Sequence, residues 1–129
     1  MAARFEIKVA KNGDYMFNLY APNGKVIATS ETYSSLAACR CGIESVRKNA
    51  GVHTEDQTSP RAVTLPCPKY EIYLGREGKF RFRLRASNGE IICVSQGYTV
   101  KESAKVCIAS LAVNAPRAET VYLDAKRTE

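Results

Sequence analysis

Residues 5–50 read FEIKVAKNGDYMFNLYAPNGKVIATSETYSSLAACRCGIESVRKNA, and residues 70–115 read YEIYLGREGKFRFRLRASNGEIICVSQGYTVKESAKVCIASLAVNA. The second stretch lies on the first without a gap, at a constant shift of 65 positions, and 15 of the 46 aligned positions carry the same residue. Other pairs are chemical substitutes, such as Phe5/Tyr70, Val9/Leu74 and Tyr15/Phe80. A fixed internal period marks a repeat architecture. The fold is therefore to be read as one unit written twice.

Within the unit the hydrophobic period changes once. Arg4–Val9 alternates apolar and polar residues, the period of a half-buried strand. A glycine turn, Lys11-Asn12-Gly13-Asp14, leads to a second alternating run over Asp14–Tyr20, with Tyr15, Phe17 and Leu19 on its inner face. Asn23-Gly24 is a strong hairpin signal, and Lys25–Ser30 follows as a third strand. From Ser34 or Ser35 the spacing becomes helical, with Cys39, Ile43, Val46 and Ala50 in one stripe and an end near Asn49. Asn49 and its counterpart Asn114 suit the left-handed conformation common where helices end.

Copy two repeats the pattern with strands near Lys69–Leu74, Lys79–Arg85 and Glu90–Ser95, and a hairpin at Asn88-Gly89. Its helix opens on a Thr99-x-x-Glu102 capping box and buries Ala104, Ile108, Leu111 and Ala115. After the helices, Pro60-Arg61-Ala62-Val63-Thr64 resembles Pro116-Arg117-Ala118-Glu119-Thr120. This match predicts a fourth strand per copy, ending near Leu65 and Leu123, and leaves Gly51–Ser59 as a polar inserted loop. The chain is expected to be one domain of 129 residues. Repeat one spans 4–65 with the inserted loop 51–59, and repeat two spans 69–124.

These residues resemble the YegP-like family of uncharacterised bacterial proteins. The shared pattern is Phe-Glu-Ile, Gly-x-Tyr/Phe-x-Phe-x-Leu-x-Ala-x-Asn-Gly-x-x-Ile and Ser-x-x-Tyr, then a Ser/Thr-capped helix ending in Asn-Ala. It stands at Phe5–Ala50 and again, with Tyr70 first, at Tyr70–Ala115. The resemblance implies an α+β fold of tandem β3-α-β repeats. They would form one antiparallel sheet with two helices on one face, and the last strand of each unit would be exchanged into the other in a pseudo-twofold arrangement. It implies no activity and no catalytic residues.

Composition bounds the remaining possibilities. Hydrophobic residues make up 45% of the chain and charged residues 25%, ordinary values for a packed domain. Arg4 and Glu6 fall where a secretion signal would be apolar, and no stretch approaches the roughly 20 apolar residues of a membrane span. A soluble cytoplasmic protein is expected, with no membrane partner. Five cysteines without a Cys-x-x-Cys pair read as reduced thiols used as small apolar residues, with Cys67 the accessible one.

Little in the chain spells a reaction. The one histidine, His53, lies in the inserted loop, and the motifs G-x-S-x-G, the phosphate-binding loop and the dinucleotide fingerprint do not occur. The run His53-Thr54-Glu55-Asp56 has metal-type side chains but lacks a second histidine or a cysteine pair. A non-enzymatic binding or accessory module is expected, with no cofactor, no metal and no catalytic residue. Because the tandem repeat acts as an internal dimer, the chain is expected to be a monomer.

The net charge of +6 divides as +2 before Pro66 (8 basic, 6 acidic) and +4 from it onward (11 basic, 7 acidic). The sharpest difference between the copies is the row Lys79, Arg81, Arg83 and Arg85 on the outward side of a strand, about 6.8 Å apart. The matching residues of copy one are Asp14, Met16, Asn18 and Tyr20. Such a row suits nucleic acid or another polyanion, with Tyr20 and Tyr73 available for stacking. The rival is a solvated sheet surface partly neutralised by Glu71 and Glu90. A protein–protein adaptor using the open sheet face or the 51–59 loop is the other alternative.

Overall fold

The computed structural model describes residues 2–122. Copy one contributes β1 (Arg4–Val9), β2 (Tyr15–Tyr20), β3 (Val26–Ser30), α1 (Leu36–Asn49) and β4 (Thr54–Asp56). Copy two contributes β5 (Lys69–Leu74), β6 (Phe80–Arg85), β7 (Ile91–Val94), α2 (Lys101–Asn114) and, after a 3-10 turn at Ala115–Arg117, β8 (Glu119–Tyr122).

All eight strands join one sheet in the order β4-β5-β6-β7-β3-β2-β1-β8. The two meanders meet at β3 and β7, where Thr29 lies opposite Val94. The last strand of each copy crosses to the other: β4 pairs with β5, and β8 pairs with β1. The six central strands are antiparallel. The two exchanged edge strands run parallel to their neighbours, because each reaches the sheet through a crossover helix.

The local chemistry explains the elements. Gly24 and Gly89 adopt φ of +85° and +87°, which the hairpin turns require and a side chain would strain. Ser30 and Ser95 repeat because each side chain accepts from a buried backbone N–H, that of Phe17 at 2.8 Å and that of Phe82 at 2.9 Å. Both helices cover the same face. There α1 packs on β2 and β7, and α2 packs on β6 and β3. Phe5, Ile7, Phe17 and Leu19 are buried beneath them with their counterparts Tyr70, Ile72, Phe82 and Leu84. Phe5 meets Phe17 edge to face at 5.6 Å, and Tyr70 meets Phe82 at 5.9 Å.

Four expectations change. The fourth strand of copy one is Thr54–Asp56, inside the expected loop, and residues 60–65 form no strand. The Pro-Arg-Ala match between 60–64 and 116–120 is a likeness of composition. The pairing register sets Thr54 opposite Tyr70 and Thr120 opposite Phe5, so those two threonines are the equivalent positions. Copy one therefore carries no insertion between helix and strand, and residues 57–68 are the linker between the copies. In copy two, α2 begins with Val100 at its N-cap and no side-chain cap, whereas Ser35 caps α1 by accepting from the Ala38 N–H. Thr99 matches Ser34, one position too early to cap. Asn49 and Asn114 stay right-handed: each side-chain amide donates to the carbonyl four residues back, Ser45 and Ser110. The expected end of the last strand at Leu123 lies outside the described residues.

Candidate functional site on the outer sheet face

The registers set one row of outward positions across the whole sheet: Glu55, Glu71, Arg83, Val94, Thr29, Asn18, Glu6 and Val121. The pseudo-twofold maps Glu71 onto Glu6 and Glu55 onto Val121. Copy two therefore carries two acids where copy one carries one.

Those acids are buried, although they lie on the face away from the helices. The linker folds over them: the Leu65 N–H donates to Glu55 Oε1 at 2.8 Å, and His53 Nε2 lies 2.8 Å from the Pro66 carbonyl oxygen. The Lys69 ammonium bridges Glu55 Oε1 at 2.6 Å and Glu71 Oε2 at 3.1 Å. Glu71 Oε1 accepts from Arg83 Nε at 2.5 Å and from Arg85 Nε at 2.7 Å. Glu55, Lys69 and Glu71 are 6%, 5% and 3% exposed, so this is an interior network on a nominally open face.

The network fixes its own ionisation. The Lys69 hydrogen bond, helped by the Leu65 N–H, holds Glu55 down at about 2. Burial pushes Glu71 up, but the bonds from Arg83, Arg85 and Lys69 outweigh it and hold its carboxyl below the usual range. Lys69 is raised, chiefly by Glu55. Next along β4, Asp56 turns the other way. Its Oδ2 pairs with Lys101 of α2 at 2.8 Å. Burial raises it, while Lys101 and Thr58 hold it at about 2.

The arginine row is thus present and faces outward, but its members are engaged. Arg83 and Arg85 share Glu71, and Arg81 pairs with Glu77 at 2.5 Å while donating to the Ser95 carbonyl. Lys79 makes no ion pair among the described residues. Tyr73 and Tyr20 share this face, each under a guanidinium: Arg83 lies 4.2 Å from the Tyr73 ring and Arg4 lies 4.6 Å from the Tyr20 ring. Lys69, Arg83 and Arg85 against Glu55 and Glu71 leave the cluster one positive charge in surplus. Sequence reading misses Glu55 and Lys69 because it places Glu55 in a loop. The available signal is the outward pair Lys69-x-Glu71, repeated as Arg4-x-Glu6, where Arg4 and Glu6 again pair.

On the helix side, two clefts are related by the pseudo-twofold. One, of about 700 Å³, lies between α1 and the β6–β7 turn and includes Tyr33, Cys41, Gly42 and Glu90. Its mate, of about 570 Å³, lies between α2 and the β2–β3 turn and includes Tyr98, Val106, Cys107 and Lys25. Gly42 matches Cys107. A Cβ on Gly42 would lie 2.4 Å from the Tyr33 hydroxyl, whereas the Tyr98 hydroxyl lies 2.9 Å from Cys107 Sγ. Burial lifts the Tyr33 hydroxyl to about 12, and burial with the Cys107 contact raises Tyr98.

All five cysteines are free. Cys39 and Cys93 are buried, and burial lifts their thiols to about 11 and about 12. Cys67 is half-buried and Cys41 exposed. Among the described residues no group of histidine, cysteine and acidic side chains could hold a metal, and no helix is long and apolar enough to cross a membrane.

The model of a domain of unknown function, DUF1508, matches residues 10–56 and again 76–121. The chain belongs to this family. Both matches end on the exchanged strand, at Asp56 in β4 and at Val121 in β8. A UPF0339 protein of Pseudomonas aeruginosa is 37% identical over 92% of this chain and 94% of its own length. The UPF0339 protein YegP of Escherichia coli O6:H1 is 39% identical over 88% of this chain and 91% of its own. The solution structure of YegP from E. coli, a protein of unknown function, superposes with a TM-score of 0.77 at 33% identity and covers 97% of this chain and 96% of its own. A UPF0339 protein from Shewanella oneidensis gives the same TM-score at 28% identity, with coverage of 96% and 93%.

Proposed function

We propose that the protein is a non-enzymatic binding module. The observation that supports this reading is the outer-face cluster, in which Glu55, Lys69, Glu71, Arg83 and Arg85 are committed to one another as ion pairs. Glu55, Glu71 and Asp56 are held ionised, and Tyr33, Cys39 and Cys93 are held protonated, so each keeps one charge state at neutral pH. A general acid or base needs a pKa near the working pH. These shifts instead follow from ion pairs and burial that serve the fold. The test is turnover of ester, phosphoester, peptide and nicotinamide substrates by the wild type and by His53→Ala. Wild type and variant are both expected at the level of the blank. Turnover that His53→Ala abolishes overturns the reading.

A second reading, polyanion binding at Lys79, Arg81, Arg83 and Arg85, is favoured by the surplus positive charge of the cluster and by Lys79. The ion pairs weigh against it, because an incoming phosphate must compete with Glu71 and Glu77. Retention of single-stranded DNA or heparin on the immobilised chain checks it. Polyanion binding requires retention that falls steeply with salt and is lost in Lys79→Glu and in R81E/R83E/R85E. Retention unchanged by these reversals sinks it.

A further inference from the structure

The two helices present opposite surfaces to solvent. On α2 the residues Glu102, Val106, Ala109 and Val113 follow one another at 4-3-4 spacing, with Arg117 one turn beyond in the 3-10 segment. All five are exposed, and Val106 and Val113 are each 60% exposed. The α1 positions that match Val106, Ala109 and Val113 are Cys41, Glu44 and Lys48, with Glu44 paired to Arg47. The shared fold thus leaves one helix with a charged outer stripe and the other with an apolar one. Two exposed valines flanked at either end by charges of opposite sign form a stripe that a partner of the same pattern would cover.

We propose that this stripe is a self-association surface, covered by α2 of a second copy packed antiparallel about a twofold axis between Ala109 and Ser110. The sequence is self-complementary about that point. An axis at 109.5 pairs positions whose numbers sum to 219. Val106 then faces Val113 of the second copy, twice, and Glu102 faces Arg117 of the second copy, twice. A twofold contact must show this reciprocity. Neither Glu102 nor Arg117 makes an ion pair among the described residues, so both are available. The small Ala109 at the axis allows the helices to approach to the usual 8–10 Å. Lys105 falls opposite Asn114, so no like charges meet. The same construction on α1 sets Cys41 against Lys48 and offers no such match.

A single helix pair falls short of the about 1,200 Å² of a standard interface, so association is weak. The test is sedimentation equilibrium of the full chain under reducing conditions from about 10 μM to about 1 mM. The average mass is expected to climb from one chain toward two. Val106→Asp keeps the mass at one chain. Cys41→Asp, at the matching place on α1, leaves the wild-type curve unchanged. Glu102→Arg and Arg117→Glu each weaken association roughly 5-fold, and the double variant E102R/R117E restores it. That restoration is specific to the antiparallel register. A wild-type mass fixed at one chain throughout overturns the assignment of a second copy. So does an E102R/R117E variant no stronger than either single reversal.

Discussion

The outer faces of the two copies share a backbone and differ in how they hold the exchanged strand. In copy one, β8 lies beside β1, with Val121 next to Glu6 and Glu6 paired to Arg4. In copy two, β4 lies beside β5, with Glu55 next to Glu71 and Lys69, Arg83 and Arg85 gathered around them. The four-residue β8 is held by backbone pairing with β1 and by Arg47 of α1, which donates to the Ala118 carbonyl and the Thr120 hydroxyl. The three-residue β4 is held by a buried charge network under the linker. Half of the cationic row of copy two, Arg83 and Arg85, is therefore engaged by the buried Glu71. Together with Lys69 these arginines offset the two glutamates that fasten a very short edge strand.

The comparison can be broken first at what the copies share. Phe17→Ala and Phe82→Ala each open a cavity in the common core and are expected to cost about 3–5 kcal/mol in chemical denaturation, with similar losses in the two copies. A large inequality would show that one copy carries most of the stability. Glu71→Gln and Glu6→Gln should differ sharply. Glu71→Gln leaves Lys69, Arg83 and Arg85 short of a buried carboxylate and should cost about 3 kcal/mol, whereas Glu6→Gln should cost less than about 1 kcal/mol.

Acid titration sharpens the same contrast. The folded-state pKa of Glu55 is depressed to about 2, below its unfolded value near 4.5. Its contribution is complete above pH of about 4.5 and is lost as pH falls toward about 2, because the unfolded state binds the proton more readily there. Glu55→Gln should flatten that limb of the stability curve. A limb of unchanged steepness contradicts the network. In the clefts, Gly42→Ala drives a methyl into the Tyr33 hydroxyl and should cost about 1–3 kcal/mol. Cys107→Ala removes only the contact with Tyr98 and should cost about 1 kcal/mol or less. Thermal melts of the two variants would show whether the clefts are unequal in this sense.

Most of the fold was legible because the repeat doubles every signal. Asn23-Gly24 and Asn88-Gly89 place the hairpins, and the change of period at Tyr33 and Tyr98 places the helices. The exchange of last strands followed from the family resemblance and holds. The position of the first exchanged strand was not legible. Thr54-Glu55-Asp56 is polar throughout, since Glu55 enters a charge network and Asp56 reaches Lys101, so no apolar alternation marks it as a strand. The outward direction of Arg81, Arg83 and Arg85 was legible from alternation alone. Their neutralisation was not, because Glu71 and Arg83 are partners only once the hairpin register is set, and Glu55 arrives from the other copy.

The most direct test of the fastening of β4 is native-state hydrogen exchange in Glu55→Gln. The reporters are the Gln57 amide, which donates to the Ile72 carbonyl, and the Tyr70 amide, which donates to the His53 carbonyl. Their protection is expected to fall by about 10-fold or more, while amides of β1 and β8 keep the protection of the wild type. Unchanged protection at Gln57 and Tyr70, or an equal loss at β8, would contradict the view that the charges of copy two serve to hold the exchanged strand.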